Sequence, residues 1–170
     1  MSVERGSGGR VKWIETAGGP FVLVNLDDVP LWRGCEGDYQ QACEVDEITG
    51  LVGFGDPERQ RIALVFEDEP LSTAYLTEHQ AFVQWLYADS EEELIEMVDS
   101  QISLAVWECG PSVEIRGAAI LFDAAIPGME LASDDFLEIR LRAGSYRVRT
   151  ADIEPGGREA ARVHQLVLNE

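Results

Sequence analysis

The chain has 170 residues, 45% hydrophobic and 26% charged, and its 32 acidic residues against 13 basic ones give a formal charge of −19. A chain of this size and composition builds a core without metals or disulfides. Its acid excess argues against binding to nucleic-acid phosphates or anionic membrane surfaces. Residues 1–110 hold 22 acids and 6 bases, a net of −16, and residues 111–170 hold 10 acids and 7 bases, a net of −3, so one end of the molecule is expected to carry most of the negative field. No stretch approaches the ~20 apolar residues of a membrane span. The first ten residues lack the apolar run of a signal peptide. Cys35, Cys43 and Cys109 stand at no metal-ligand spacing. A reduced, cytoplasmic setting and a monomeric free state are the expectation.

Residues 1–10 read as a flexible tail, and residues 11–170 as a single α+β domain. Residues 11–16 and 21–26 are short runs of β-formers around Ala17-Gly18-Gly19-Pro20, which suggests a hairpin. The second run, Phe-Val-Leu-Val-Asn-Leu, suits a strand buried on both faces. In the polar stretch that follows, Tyr39 and Cys43 stand four apart, so a short helix over residues 38–45 places both on its inner face. Residues 48–54 and 61–66 read as strands around Gly55-Asp56-Pro57, and residues 73–76 and 81–88 as two more. Large apolar groups on both faces of the last make it central.

The main helix spans residues 90–104. Ser90-Glu91-Glu92-Glu93 fits a capping box, and Leu94, Ile95, Val98 and Ile102 form one apolar stripe. Strands over residues 113–115 and 118–122 come next, and a meander over residues 136–142, 145–151 and 161–168 closes the chain. The expected architecture is a mostly antiparallel sheet or sandwich packed with one main helix.

The sequence holds no H-E-x-x-H, C-x-x-C, G-x-S-x-G or phosphate-loop pattern. No catalytic, cofactor-binding or metal-binding residue is therefore assigned, and no enzyme activity is expected. His79 and His164 read as half-exposed strand residues, and Cys43 as a buried thiol. Asp27-Asp28, Glu67-Asp68-Glu69 and Asp134-Asp135 match no calcium loop and read as solvated ends or as a surface for basic side chains. Trp32 lies in a polar segment that core packing explains least well.

Trp13-Ile14-Glu15-Thr16-Ala17-Gly18-Gly19-Pro20 before an apolar strand resembles the opening of immunity protein family 21. Trp32-Arg33-Gly34 is similar to the W-x-G motif of that family, and Tyr39 with Cys43 to its Y-x-x-x-C motif. Phe82-Val83-Gln84-Trp85-Leu86, Phe122-Asp123-Ala124-Ala125 with Pro127-Gly128, and Leu141, Gly144, Tyr146 and Val148 continue the likeness over residues 12–168. The resemblance implies an immunity protein of a bacterial polymorphic toxin system that binds a cognate toxin and blocks it. A basic nuclease is the target that an acidic inhibitor suits best. The expected docking residues are Glu36, Asp38, Asp46, Glu47, Glu67, Asp68 and Glu69, whereas Trp32, Gly34, Tyr39 and Cys43 are expected to serve structure. The competing reading is a small-molecule sensor whose aromatics, around Trp32 and Tyr39, line a cleft. A hydrolase using Asp123 and Glu138 ranks below both.

Overall fold

The computed structural model describes residues 11–67 and 71–170. Its strands form two antiparallel sheets of five, packed face to face as a sandwich. The first sheet runs in the order β2 (Thr49–Phe54), β3 (Arg61–Phe66), β1 (Phe21–Asn25), β7 (Ala118–Asp123) and β8 (Phe136–Arg140). The second runs in the order β4 (Thr73–Leu76), β5 (Ala81–Tyr87), β10 (Ala160–Leu168), β9 (Gly144–Ile153) and β6 (Glu108–Ile115). Short helix α1 (Tyr39–Cys43) and several 3-10 turns cover the outer face of the first sheet, and helix α2 (Glu91–Gln101) covers part of the second.

Period-two alternation explains the layers. Along β1, Phe21 and Leu23 turn inward to meet Phe82, Val148 and Leu166 of the opposite sheet. Val22 and Val24 turn outward, onto Trp32, Ala42 and Phe54. Both faces of β1 are thus covered, which is why its run is apolar throughout. On the second sheet, Leu94, Ile95 and Val98 of α2 press on Ala81, Val83, Ala161 and Val163. The Ser90 hydroxyl accepts from the Glu93 amide at 3.2 Å and fixes where α2 begins. Each large side chain buried in this way contributes about 1.5–3 kcal/mol.

The α+β sandwich with one main helix matches the sequence reading, but the strand partners differ from it in two places. Residues 11–16 form no hairpin with β1, because both edges of β1 are taken by β3 and β7. Only Ile14 pairs, through two 2.9 Å main-chain bonds to Thr73 at the edge of the other sheet. Nor do the last three strands form one meander. β8 pairs with β7, and the chain then crosses between sheets before β9 and β10 pair with each other. The tail expected over residues 1–10 lies outside the described residues.

His164 also departs from expectation. It is 0% exposed, since β10 lies in the middle of its sheet, and its ring stacks on Phe66 with centroids 4.3 Å apart. A polar chain accommodates it. The Thr73 hydroxyl donates to the Leu71 carbonyl at 2.9 Å, and Gln84 Nε2 donates to Thr73 Oγ1 at 3.2 Å. Gln84 Oε1 is left to accept from His164 Nε2 at 2.8 Å, so His164 Nδ1 accepts from the Thr150 hydroxyl, also at 2.8 Å. His79, by contrast, is half-buried at the end of a 3-10 turn and meets Asp99 at 2.8 Å.

Candidate functional site

Strand register decides which loops meet. Phe21 pairs with Phe66 and with Asp123, and Thr49 also pairs with Phe66, which gathers the start of β2 and the ends of β3 and β7 at one end of the first sheet. In the second sheet Ala160 pairs with Tyr87 and Ala161 with Ile153, which gathers the β5–α2 and β9–β10 connections. Ile14 on Thr73, with Glu15 bonded to Ser72 at 2.8 Å, ties the two groups to the same end. Asp46, Glu47, Glu67, Asp89, Asp134 and Glu154 belong to these loops, with Glu92 in the first turn of α2 and one base, Arg158, in the β9–β10 connection. The opposite end, where Asn25 pairs with Ala119 and Arg140 with Ala118, mixes Arg59, Arg61, Arg116, Arg140 and Arg142 with Asp27, Asp28, Asp56 and Glu58.

Glu36, Asp46 and Glu47 are exposed; Glu36 bonds to Arg33 through its main chain, at 3.0 Å and 3.3 Å, but none of the three carboxylates has a hydrogen bond or ion pair to another described residue. Glu67 is half-buried and continues the ladder, its amide donating to the Ile48 carbonyl at 2.9 Å. Asp68 and Glu69 lie outside the described residues. Asp38 is a correction: it is buried, and its carboxylate accepts from the Arg33 amide at 2.7 Å. It closes the turn before α1 and is not available as a docking carboxylate. Asp28, also buried, forms ion pairs with Arg61 (Nε–Oδ1 3.1 Å) and Arg116 (Nη2–Oδ2 2.8 Å), which fasten a 3-10 turn to β3 and to the β6–β7 connection.

The motif residues build the frame behind the acidic loops. The Trp32 indole is 1% exposed and donates to the Ala124 carbonyl at 2.9 Å. Its own carbonyl accepts from Gly128 at 2.8 Å, and the Cys35 amide donates to Ala125 at 2.9 Å. Gly34 sits between these bonds with φ +56°, where an added Cβ would lie 2.5 Å from Pro127 N and 2.6 Å from Ala125 O. Asp123 holds the same loop, accepting from Ala125 at 2.9 Å and from Ala17 at 3.0 Å. The α1 helix is shorter than expected, with Ala42 fully buried and Tyr39 and Cys43 half-buried on one side. The Cys43 thiol bonded to Tyr39, together with burial, raises the phenol above its ordinary value. These contacts are structural; the cleft beside them is lined by Leu31, Arg33, Asp38, Gln41 and Phe54, and neither Trp32 nor Tyr39 is on its wall.

The hydrolase pair comes apart as well. Asp123 is buried on two amides, whereas Glu138 is exposed and paired with Arg140 at 2.5 Å. Among the described residues no group of three or more His, Cys, Asp or Glu is placed to hold a metal ion. No helix formed by the described residues is long and apolar enough to cross a membrane.

No curated protein and no solved structure matches the chain. Residues 12–159 match the sequence pattern of Immunity protein 21, a span that takes in the Trp32-Gly34 lock, Tyr39, Cys43 and the acidic loops up to Glu159. The chain therefore belongs to the immunity protein 21 family.

Proposed function

We propose that the protein neutralises a cognate bacterial toxin by binding it directly, without catalysis, and that the acidic end of the sandwich faces the toxin. Membership of the immunity family carries this reading. The charge supports its finer part: a basic toxin, with a nuclease as the favoured case, is drawn toward exposed carboxylates and can mistake them for phosphates. Glu36, Asp46, Glu47 and Glu67 are the docking residues within the described chain, with Asp68 and Glu69 beside them in sequence. The setting is the cytoplasm and the free protein is a monomer.

Co-expression with the protein encoded immediately upstream tests the reading. Cells carrying both genes should grow, cells carrying the upstream gene alone should not, and the two proteins should copurify. Loss of viability despite co-expression, with no complex, would sink it.

A further inference from the structure

We infer that strand β2 is a docking edge, along which an extended, basic segment of the protein partner adds itself to the first sheet. The inference rests on the toxin-binding reading and assigns the manner of contact. Each sheet of a sandwich leaves two edges, and folded proteins blunt such edges against pairing with other chains. Three of the four here are blunted. β6 carries Pro111 and loses register between Cys109 and Ser112. β4 is 4 residues long and is closed by Ile14. β8 is 5 residues long and carries the charged pair Glu138 and Arg140. β2 has none of these devices: Thr49-Gly50-Leu51-Val52-Gly53-Phe54 contains no charge and no proline, and all 6 residues pair with β3 in unbroken register.

One hydrogen bond gives the direction of its main chain. The Glu67 amide donates to the Ile48 carbonyl, and bonded pairs alternate along an antiparallel ladder. Gly50, Val52 and Phe54 therefore turn their main-chain groups to β3, and Thr49, Leu51 and Gly53 turn theirs outward. Gln41 Nε2 caps the Gly53 carbonyl at 3.1 Å, and Gly110 of β6 closes over the Thr49 side chain. The open stretch centres on Leu51, whose side chain is 41% exposed beside Ile62 at 42%.

Three clefts open along this one strand. The first, of about 440 Å³, lies between β2 and β6 and has Glu47 and Glu108 on its wall. The second, of about 300 Å³, is floored by Leu51, Ile62 and Val113. The third, of about 510 Å³, lies by Gly53, Phe54 and Asp56. A strand added at an edge sends alternate side chains to opposite faces, so main-chain bonds hold it while pockets select its residues. The two glutamates set the chemistry of the first position. A lysine or arginine there lays its stem on Ile48 and Pro111 and its charge between Glu47 and Glu108. An apolar residue suits the position over Leu51 and Ile62.

Residue-resolved amide exchange tests this, on the free protein and on its complex with the upstream-encoded protein. In the free protein the Leu51 and Gly53 amides should exchange fast while Gly50 and Val52 are protected; complex formation should slow Leu51 and Gly53 at least about tenfold. Leu51→Pro removes an outward amide and no bond to β3, and should weaken binding at least about tenfold. Leu51→Lys, which keeps the backbone intact, should do the same with unchanged thermal unfolding. A complex in which Leu51 and Gly53 keep their free exchange rates overturns the inference. So does protection already present in the free protein as a dimer, because the occupant is then a second copy. Absence of any complex with the wild-type chain is a separate result, which overturns the toxin-binding reading and the edge assignment with it.

Discussion

Gly34→Ala probes the frame that carries the acidic loops. At φ +56° a side chain costs about 1–2 kcal/mol in left-handed strain. The new methyl would also press on main-chain atoms of Ala125, Ile126 and Pro127, which have no flexible end to move aside. Relief requires the 3-10 turn to part from the loop, at the expense of the bonds from Cys35 to Ala125, from Gly128 to Trp32 and from Trp32 to Ala124. At roughly 1 kcal/mol for each of the three bonds weakened, strain and bonds together cost about 4–5 kcal/mol, or about 10–15 °C in Tm for a chain of this size. Gly157→Ala is the matched control, with φ +78° and nothing within 4 Å of the added atom. Strain there, partly offset by the lower entropy of the unfolded chain, leaves about 1 kcal/mol or less. Urea unfolding of both variants gives the difference directly. Equal losses within about 0.5 kcal/mol would refute the claim that close packing of the turn on the 125–127 loop, and not backbone strain alone, demands glycine at position 34.

Reversing Glu36, Asp46 and Glu47 together to lysine should slow toxin association at least about tenfold and leave thermal unfolding within about 2 °C of wild type, because these carboxylates bear no fold contacts. Reversal of Glu67, Asp68 and Glu69 should likewise slow association, measured by stopped flow; two triples that bind like wild type would refute docking at the acidic end. Asp38→Ala should instead destabilise the fold by about 1–3 kcal/mol, by stranding the Arg33 amide. Raising salt from low to physiological ionic strength, where screening shortens to ~8 Å, should cut the association rate far more than the dissociation rate. Burial pushes the Tyr75 phenol up to about 12, so its contribution to stability is full below pH ~10 and is lost as pH climbs from there toward the folded value. Absorbance titration should show a tyrosine titrating at about 12 that Tyr75→Phe removes, while the raised Tyr39 signal remains. The same change should stabilise the fold by about 0.5–1 kcal/mol, as the buried hydroxyl has no hydrogen-bond partner among the described residues.

Local pattern in the sequence was sufficient for most strands and for α2. Alternation in β3, the unbroken apolar run of β1 and the Ser90 cap are all set by near neighbours, and all three stand in the fold. Partnership between strands was not legible, because pairing depends on residues far away in sequence. The apolar run at 11–16 has β-forming chemistry, yet its one bridge goes to Thr73. His164 alternates in register with the inward-facing Leu166, a signal that was available, but the groups that satisfy it, Gln84 and Thr150, lie 80 and 14 residues away. Trp32 looked misplaced in a polar segment for the same reason: its acceptor is 92 residues downstream. Among the candidate docking acids, Asp38 could not be told from its neighbours. What separates it is one amide, at Arg33, that a turn brings back to it.

The charge shows most clearly what folding adds to composition. Residues 111–170 are almost balanced, at 10 acids and 7 bases, yet the fold partly separates them. Asp134, Asp135, Asp152, Glu154 and Glu159 go to the acidic end, where Arg158 and Arg162 offset part of their charge, Arg162 by pairing with Asp152 at 2.7 Å; Arg116, Arg140 and Arg142 go to the other, with Glu114 and Glu138. The division by sequence halves therefore understates the polarity, since the later half adds carboxylates to the end that already holds Asp46, Glu47 and Glu67. Grouping like charges costs stability, and two at close range repel by about 1 kcal/mol even in water. Solubility does not require that cost, because an even spread of the same net charge keeps a protein dispersed equally well. A one-sided field has a use that an even one lacks: it orients an approaching basic partner before contact. It would deliver that partner to the side of the sandwich where Glu47 and Glu108 flank the first cleft along β2.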